Sequence, residues 1–346
     1  MNKIKVGIVG ATGYAGVELV RILINHPKVE LVALSSVSFE GQSISEVYPN
    51  LTGIIEDVLC DEDSLVKKSE VVFASLPHGL SEPIAKKCAD GNKLFIDLGA
   101  DFRLHDEKEY KEWYNFDYNE KDLHKKAVYC IPELHKNVLA DSKIIGNPGC
   151  YPTAVGLGLA PILKSGIADS KGIIIDAKSG VTGAGRALSQ GTHYPDCNEV
   201  FAPYKVAEHR HTPEIEQTLS ELTGEQVKVT FVPHLLPVNR GILATMYLSL
   251  TEKKSADEIH KSYTSFYEDK TFVRVKNLGE TASTKNIKFS NFCDISLHLD
   301  QRTNRLIVVS AIDNMVKGAA GQAVQNMNLC CGFSEDMGLN LIPPAF

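Results

Sequence analysis

A strand, a glycine-rich turn, a helix and a second strand follow one another at the start of the chain, and this order restricts the fold more than any other feature. A β-rich apolar run, Lys3 to Val9, leads into the turn Gly10 to Gly16. A helix from about Tyr14 to Asn25 and a strand from Val29 to Leu34 follow. Dinucleotide-binding units have this order, because glycines let backbone N–H groups approach a pyrophosphate at the helix start. The sequence therefore predicts an α/β fold with a Rossmann-type domain.

The spacing of the glycines in this turn is GxxGxxG rather than GxGxxG. A tight turn needs glycine for structural reasons alone, so a turn without a ligand is the alternative. The flanking strands favour nucleotide binding. The cofactor contacts that we expect in this turn and in the first helical residues are Gly10, Thr12, Gly13, Tyr14 and Ala15.

The end of the second strand indicates which nucleotide would bind. A site that prefers NAD usually places a carboxylate there, against the ribose 2′-hydroxyl. This chain has Ser35, Ser36 and Ser38 instead. Because hydroxyl groups donate to a 2′-phosphate and do not repel it, we predict NADP(H) as the cofactor, with Ser36 and Ser38 as contacts. Serines are also ordinary turn residues, which is the alternative.

Later parts of the chain predict the rest of a doubly wound sheet and a second domain. Strand-like runs at Val71 to Ala74, Leu94 to Asp97 and Lys143 to Ile145 continue the sheet, whose strand ends should converge on one crevice. After about residue 165 the strands lengthen, which predicts an α+β domain with a mostly antiparallel sheet for substrate binding and dimerisation. A final helix is predicted from Asn314 to Leu329. The predicted domains are 1–149 with 314–346 for NADP, and 150–313 for catalysis, substrate binding and oligomerisation.

Cys150 lies between a strand-like run and a helix-like run, in IIGNPGCYPTAVGLGLAP. Gly149 allows a sharp entry into the helix, and Pro152 suits its first turn. A thiol at a helix start faces free backbone N–H groups and the positive end of the helix dipole, which favour the nucleophilic thiolate. A buried and inert cysteine is the alternative. We predict that Cys150 is a nucleophile.

A catalytic thiol needs a proton acceptor. To be mainly thiolate at neutral pH, a thiol pKa must fall by roughly two units, or about 2.7 kcal/mol. A helix end supplies only about 0.3–1 kcal/mol, so a protonated imidazole is required nearby unless attack and deprotonation are concerted. The segment EHRHTPEI at 208–215, entering a helix at Pro213, is the densest candidate. We therefore pair Cys150 with His209, while a helix cap or a metal ligand is the alternative for these histidines.

Composition excludes several other functions. A net charge of −7 gives no basic surface for nucleic acid. The N-terminal apolar stretch is too short for a membrane span and lacks the cleavage pattern of a signal peptide. The eight cysteines include no CxxC pair, so we predict no metal site and no disulfide framework. We expect a cytoplasmic protein that binds neither nucleic acid nor membranes.

Several motifs distributed over nearly the whole chain point to one family. They are GATGYAG, LPHG, DLGADFRL, GNPGCYPT, SGVTGAGR, HRHTPEI, RGILAT and NMVKGAAGQAVQNMN. Together they resemble the N-acetyl-gamma-glutamyl-phosphate reductases of arginine biosynthesis (type 1), which are NADP-dependent semialdehyde dehydrogenases. The segment around the cysteine is the most specific, and neither it nor the histidine pair departs from the family pattern.

The resemblance implies a mechanism. Cys150 attacks the acyl phosphate of N-acetylglutamyl phosphate, phosphate leaves, and NADPH reduces the resulting thioester to the semialdehyde. His209 is similar to the acid/base of the family, a role that suits a proton which leaves the thiol and later returns to the thiohemiacetal.

The resemblance also implies contacts to substrate and cofactor. His211, Arg103 and Arg186 are the expected partners of the substrate anions, since arginine binds carboxylate and phosphate through paired hydrogen bonds. A structural salt bridge would explain either arginine equally well. Asn314 is the expected contact to the nicotinamide amide, and a helix N-cap is its alternative. The expected partners are a small acyl phosphate and phosphate, in a homodimer or homotetramer.

Two other classes of function stay open on the sequence. An aspartate-semialdehyde dehydrogenase or a related acyl-phosphate reductase would share the architecture, although HRHTPEI disfavours the first. A non-enzymatic NADP-binding regulator would require neither a thiol near the nicotinamide nor the HRH segment.

Overall fold

The computed structural model describes residues 3–135, 139 and 142–345. The chain forms two compact units. Unit 1 comprises Met1–Pro148 and Ala319–Asn340, and unit 2 comprises Gly149–Gly318 and Leu341–Phe346. The first limit lies one residue before the predicted one (148 against 149), and the second lies five residues after it (318 against 313).

Unit 1 contains a six-stranded parallel sheet. Its strands are β1 (Ile4–Val9), β2 (Val29–Ser35), β3 (Val71–Ala74), β4 (Leu94–Asp97), β5 (Val128–Tyr129) and β6 (Ile144–Gly146). They are ordered β2-β1-β3-β4-β6-β5. Every residue of β3 and β4 is buried, which explains why these strands are short apolar runs without alternation. The predicted Rossmann-type sheet is confirmed.

The helices of unit 1 that precede residue 148 lie between these strands along the chain. They are α1 (Tyr14–Leu23), α2 (Ile44–Val47), α3 (Glu62–Lys68), α4 (Glu82–Asp90), α5 (Glu107–Tyr114), α6 (Lys121–His124) and α7 (Pro132–His135). Helix α1 ends two residues earlier than predicted, and the backbone N–H groups of Asn25 and His26 bond to its last carbonyls. Its buried side includes Leu19, Val20 and Leu23.

Unit 2 contains a seven-stranded mixed sheet. Its strands are β7 (Ile173–Gly180), β8 (Ala202–Pro203), β9 (Val229–Leu236), β10 (Ile242–Ser249), β11 (Val273–Val275), β12 (Cys293–Asp300) and β13 (Arg305–Ile312). The order is β11-β12-β13-β10-β7-β9-β8, in which β7 with β9 and β11 with β12 are parallel and the other neighbours are antiparallel. The predicted α+β unit with a mostly antiparallel sheet is confirmed.

Helix α8 (Cys150–Lys164) covers one face of this sheet. A Cβ atom on Gly158 would lie 2.5 Å from Cε of Met246 in β10, so the glycine permits the helix to approach closely. Residues 151–163 of the helix are all buried. Such burial is typical of a helix that is apolar on every side. The helix that starts at Cys150 is therefore held firmly in the core of unit 2.

Four further helices follow in the described part of the chain: α9 (Tyr194–Cys197), α10 (Thr212–Thr223) and α11 (Ala256–Phe266) in unit 2, and α12 (Gly321–Cys330) in unit 1. Short 3-10 turns lie at Val37–Phe39, Pro49–Leu51, Val181–Ala184, Gln190–Thr192 and Thr284–Asn286.

The predicted start of the last helix at Asn314 is wrong. A π-helical turn spans Val316–Ala320, and α12 begins only at Gly321. The side chain of Asp313 accepts hydrogen bonds from the N–H groups of Met315 and Val316, and its carbonyl accepts one from the N–H of Gly318. This i to i+5 bond produces the wider π turn.

Candidate active site

The glycine turn of unit 1 has the backbone that a pyrophosphate site needs. Gly10 has a φ of +77°, and a Cβ atom there would lie 2.3 Å from the carbonyl oxygen of Ser75. Gly13 is the N-cap of α1 and forms no side-chain cap hydrogen bond, so the N–H groups at the start of the helix remain available to a ligand. Tyr14 and Ala15 are the first two helical residues. The turn therefore fits the phosphates of a dinucleotide.

The end of β2 forms one wall of a cavity of about 280 Å³, lined by Ser36 among others. The hydroxyl groups of Thr12 and Ser36 are buried and lie 2.6 Å apart, which joins the glycine turn to this cavity. Ser38 is exposed and does not line the cavity. The charged residues that line the cavity are Glu40, Asp61, Glu62, Asp63 and Lys87. Lys87 is paired with Asp63 at 2.6 Å.

Arg103 connects two loops at the ends of β4 and β6. Its Nε donates to the carbonyl oxygen of Asn147 at 2.9 Å, and its Nη2 donates to that of Leu98 at 2.8 Å. The side chain is buried, with 7% of the residue exposed. These bonds support the loop that leads to Cys150. Binding of a substrate anion by Arg103 stays a prediction.

Cys150 is the first residue of α8 and is half-buried. Its N-cap, Gly149, forms no side-chain cap hydrogen bond, and no acidic residue lies in the first turn. Gly318 lies beside the cysteine, because a Cβ atom on this glycine would be 2.7 Å from Cβ of Cys150. The predicted position of the thiol at a helix start is therefore present.

The HRH segment lies beside the residue that follows Cys150. The ring of Tyr151 packs edge-on against both His209 and His211, at centroid distances of 5.5 and 5.9 Å. The hydroxyl of Tyr204 lies 3.2 Å from that of Tyr151 and 3.4 Å from Nε2 of His209. Burial raises the pKa of Tyr204 to about 12, and the neighbouring Cys150 acts in the same direction. The two histidines and Cys150 thus belong to one cluster in unit 2.

His209 is neutral at physiological pH. Burial lowers its pKa to about 4, and the charges of Lys205 and Arg210 add to this effect. A protonated His209 that stabilises a resting thiolate is therefore disfavoured. The other predicted possibility, concerted attack and deprotonation with a neutral imidazole, fits this pKa.

Glu214 is a site residue that the sequence reasoning missed. Its carboxylate is fully buried, and Oε1 accepts a hydrogen bond from the N–H of Gly149 at 2.7 Å. Its Oε2 lies 4.0 Å from Nε2 of His211. Glu214 is the third residue of α10. A helix that starts near Pro213, as predicted, places His211 and Glu214 one turn apart, so the sequence could have indicated this pair.

Arg186 and Asn314 also lie in unit 2. Arg186 is half-buried and follows the turn Val181–Ala184. Asn314 accepts a hydrogen bond from the N–H of Gly241 at 2.8 Å and donates to the hydroxyl of Thr182 at 3.0 Å. The N-cap alternative for Asn314 is wrong, because Asp313 caps the following turn. Contacts of Arg186 with substrate and of Asn314 with nicotinamide stay predictions.

Within residues 3–135, 139 and 142–345, no group of three or more His, Cys, Asp or Glu side chains could hold a metal ion. Within the same ranges, no helix has both the length and the apolar character needed to cross a membrane.

Comparisons with family models cover most of the chain. Residues 5–142 match the model described as semialdehyde dehydrogenase, NAD binding domain. Residues 150–314 match the model described as semialdehyde dehydrogenase, dimerisation domain.

Curated relatives match over the full length. A protein of Brachyspira hyodysenteriae named N-acetyl-gamma-glutamyl-phosphate reductase is 60% identical, over 99% of this chain and 100% of its own. A protein of Clostridium botulinum with the same name is 56% identical over the same shares. A relative from Moorella thermoacetica, again of that name, is 50% identical over 98% of each chain.

Solved structures share the fold at low sequence identity. Aspartate semialdehyde dehydrogenase II of Vibrio cholerae, complexed with ASA, is similar with a TM-score of 0.75 and 16% identity, over 96% of this chain and 99% of that one. Aspartate semialdehyde dehydrogenase of Candida albicans with NADP has a TM-score of 0.71 and 16% identity, over 97% of this chain and 100% of that one.

Proposed function

This chain belongs to the N-acetyl-gamma-glutamyl-phosphate reductase family of the semialdehyde dehydrogenases, and from this premise we propose that it has the activity of that name. The reaction is the reversible, NADPH-dependent reductive dephosphorylation of N-acetyl-L-glutamyl 5-phosphate to N-acetyl-L-glutamate 5-semialdehyde, in arginine biosynthesis. The observation that carries the proposal is 60% identity over 99% of the chain to a reductase of this name.

The cofactor site proposed for NADP(H) lies in unit 1. Gly10, Gly13, Tyr14 and Ala15 would hold the pyrophosphate through backbone groups, because the turn has no room for side chains at Gly10 and no side-chain cap at Gly13. Ser36 would face the 2′-phosphate. When bound, NADPH supplies a hydride for reduction of the acyl carbon.

The nucleophile proposed is Cys150. Its sulfur forms a bond to the acyl carbon, the bond from that carbon to the phosphate oxygen breaks, and the thiol proton passes to an imidazole. After reduction the carbon–sulfur bond breaks, and the proton returns to sulfur as the aldehyde carbonyl forms. The start of α8 supports this role because its N–H groups favour the thiolate as it develops.

Both histidines are proposed to serve the proton transfers. His209 is neutral, and we propose that it acts as the proton donor to the reacting oxygen. Its Nδ1 accepts the N–H of His211 at 3.1 Å, so the neutral ring carries its proton on Nε2. This N–H donates to the hydroxyl of Tyr204 before the reaction and would donate to the acyl oxygen as the oxyanion forms. His211 lies beside the buried carboxylate of Glu214, which would stabilise an imidazolium. This favours His211 as the first acceptor of the thiol proton.

We also propose a homodimer or homotetramer in the cytoplasm. Residues 150–314 match a dimerisation domain. The face of the unit 2 sheet opposite α8 exposes apolar side chains, and 38% of Ile174 is accessible to solvent. Half-exposed Leu243, Tyr247 and Ile307 alternate with buried neighbours on the adjacent strands. An apolar face of this kind is suited to a second copy.

The test is a comparison of substrates in the reverse reaction. We expect phosphate-dependent reduction of NADP with N-acetylglutamate semialdehyde, and little reduction with aspartate semialdehyde. The opposite preference would support an aspartate-semialdehyde dehydrogenase. Cofactor binding without turnover on either aldehyde would support a regulator.

A further inference from the structure

Residues 199–208, between α9 and α10, are exposed apart from Tyr204, and three of them have a strained backbone. Glu199, Lys205 and Ala207 have φ values of 60°, 46° and 61°, in the left-handed region that non-glycine residues avoid. Residues 199–203 and 205–208 are all exposed. Tyr204 alone in this stretch is half-buried, and its N–H donates to the carbonyl of Pro233 at 3.0 Å. Strain in an exposed segment must be offset by contacts elsewhere, and Tyr204 makes them.

The contacts of Tyr204 lead to the candidate active site. Its hydroxyl lies 3.2 Å from the hydroxyl of Tyr151, which follows Cys150, and 3.4 Å from Nε2 of His209. Its ring packs edge-on against the imidazole of His209, with 5.5 Å between centroids. The imidazole also packs edge-on against Phe231, at 5.3 Å. Aromatic rings therefore fix the plane of the imidazole, and one hydroxyl faces Nε2.

The hydrogen bonds around the imidazole determine which nitrogen carries the proton. Nδ1 of His209 accepts the backbone N–H of His211 at 3.1 Å. An accepting nitrogen has no proton, so in the neutral ring the proton is on Nε2. Nε2 then donates to the oxygen of Tyr204.

We propose that Tyr204 is a positioning residue for the reaction, because its hydroxyl accepts the Nε2–H hydrogen bond of His209 and holds the imidazole beside Tyr151. The role rests on the proposed function, in which His209 transfers protons. Tyr204 acts through His209 and is not itself a proton carrier. It also anchors the exposed segment that leads into the HRH sequence.

The variant that tests this is Tyr204→Phe, which keeps the ring contacts and removes the hydroxyl. We expect kcat of the reverse reaction to fall between about three- and tenfold, the effect of one neutral hydrogen bond. KM for the aldehyde should change less than about twofold, because the hydroxyl contacts the imidazole and not the substrate. Tyr194→Phe is the matched control, since 74% of Tyr194 is exposed in the same region, and its kcat should equal that of the wild type.

A second measurement needs no turnover. In protein labelled with ¹⁵N-histidine, with signals assigned through His209→Asn, the wild type should show protonated Nε2 and unprotonated Nδ1 at neutral pH. Tyr204→Phe should move the Nε2 signal and speed exchange of its proton, whereas Tyr194→Phe should change neither.

The outcomes separate the two proposals. If the wild type does not act on N-acetylglutamate semialdehyde, the proposed function fails, and the NMR measurement alone decides the contact of Tyr204. Unchanged kcat in Tyr204→Phe would overturn the positioning role. A protonated Nδ1 in the wild type, or a His209 signal that ignores the substitution, would overturn it as well.

Discussion

Two helices of this molecule begin with nearly the same backbone. Gly13 precedes α1 with φ −71° and ψ 162°, and Gly149 precedes α8 with φ −69° and ψ 162°. Neither glycine forms a side-chain cap hydrogen bond, and neither helix has an acidic residue in its first turn. Both starts therefore favour a negative charge. One belongs to unit 1 and the other to unit 2.

The surroundings of the two starts differ. At α1 the turn residue Gly10 leaves no space for a side chain, and 37% of Tyr14 at the helix start is exposed, so the turn offers backbone groups to a ligand. At α8 the N–H of Gly149 already bonds to the buried Glu214, and the first residue is a cysteine. The same local geometry thus suits phosphate binding in one place and nucleophilic attack in the other, because different side chains pack around it.

The test with the largest expected effect replaces the thiol at the start of α8 and leaves the start of α1 unchanged. In Cys150→Ser, NADP reduction with N-acetylglutamate semialdehyde and phosphate should fall on the order of 10⁴- to 10⁶-fold, as expected for loss of a nucleophile. The dissociation constant of NADP should stay the same. Cys197→Ser, at another half-buried cysteine of unit 2, is the control and should be fully active. Retained activity in Cys150→Ser would remove the thiol from the mechanism.

The second test changes the glycine turn before α1. Gly10→Ala combines a φ of +77° with a Cβ atom 2.3 Å from the carbonyl oxygen of Ser75. Gly53→Ala is matched in φ, at +72°, but has nothing within 4 Å. Gly10→Ala should lower the free energy of unfolding by about 1–3 kcal/mol more than Gly53→Ala, since the crowding is added to the same backbone strain. Urea unfolding measures this difference, and equal losses would contradict it.

A smaller effect is expected at the end of β2. Ser36→Asp places a carboxylate in the cavity where the 2′-phosphate is proposed to lie, so NADP affinity should fall about tenfold while NAD affinity changes less. Ser38→Asp, two residues away and outside the cavity, should change both affinities little. Isothermal titration with each cofactor distinguishes the cases. Equal losses for NAD and NADP in Ser36→Asp would place the 2′-phosphate elsewhere.

The smallest expected effect is a change in the pH dependence of stability, and it depends on His209 in unit 2. The pKa of His209 is lowered from 6.5 to about 4 by burial, so the unfolded chain binds a proton in this window and the folded chain does not. The folded state therefore loses stability as pH falls from about 6.5 toward 4. Between pH 7 and about pH 5.5 the wild type should lose about 1 kcal/mol more than His209→Asn.

Urea unfolding at both pH values provides the measurement. Burial raises the pKa values of the neighbouring Tyr151 and Tyr204, so these tyrosines stay neutral across this window and do not obscure the comparison. Identical losses in the two proteins would mean that His209 titrates normally in the fold.

The sequence predicted several strands of the fold with their observed limits. Strands β3 and β4 and the hairpin of β12 and β13 were anticipated with their observed limits, because continuous apolar runs or alternation over eight residues leave few other choices. Strands β5, β8 and β11 have only two or three residues, which is too short for a periodic pattern. The π turn before α12 was missed because it depends on a single capping side chain, Asp313.

For the site, the sequence identified both glycine-preceded helix starts, Cys150 and the histidine pair. These follow from residues adjacent in the chain, since glycine conformation and helix ends are local properties. It did not identify Tyr204 or Glu214. The bonds of Tyr204 to Tyr151 and of Glu214 to Gly149 join residues 53 and 65 positions apart, and no local pattern encodes such pairs.

The sequence by itself thus determined where a thiol and a pyrophosphate-binding turn stand, because each depends on a few consecutive residues. Only the tertiary structure decided the protonation of His209 and the surroundings of His211. Burial makes His209 a neutral imidazole and places a carboxylate beside His211. Desolvation and the proximity of charges depend on which distant segments pack together, and a pKa is fixed by that packing rather than by neighbours in the chain.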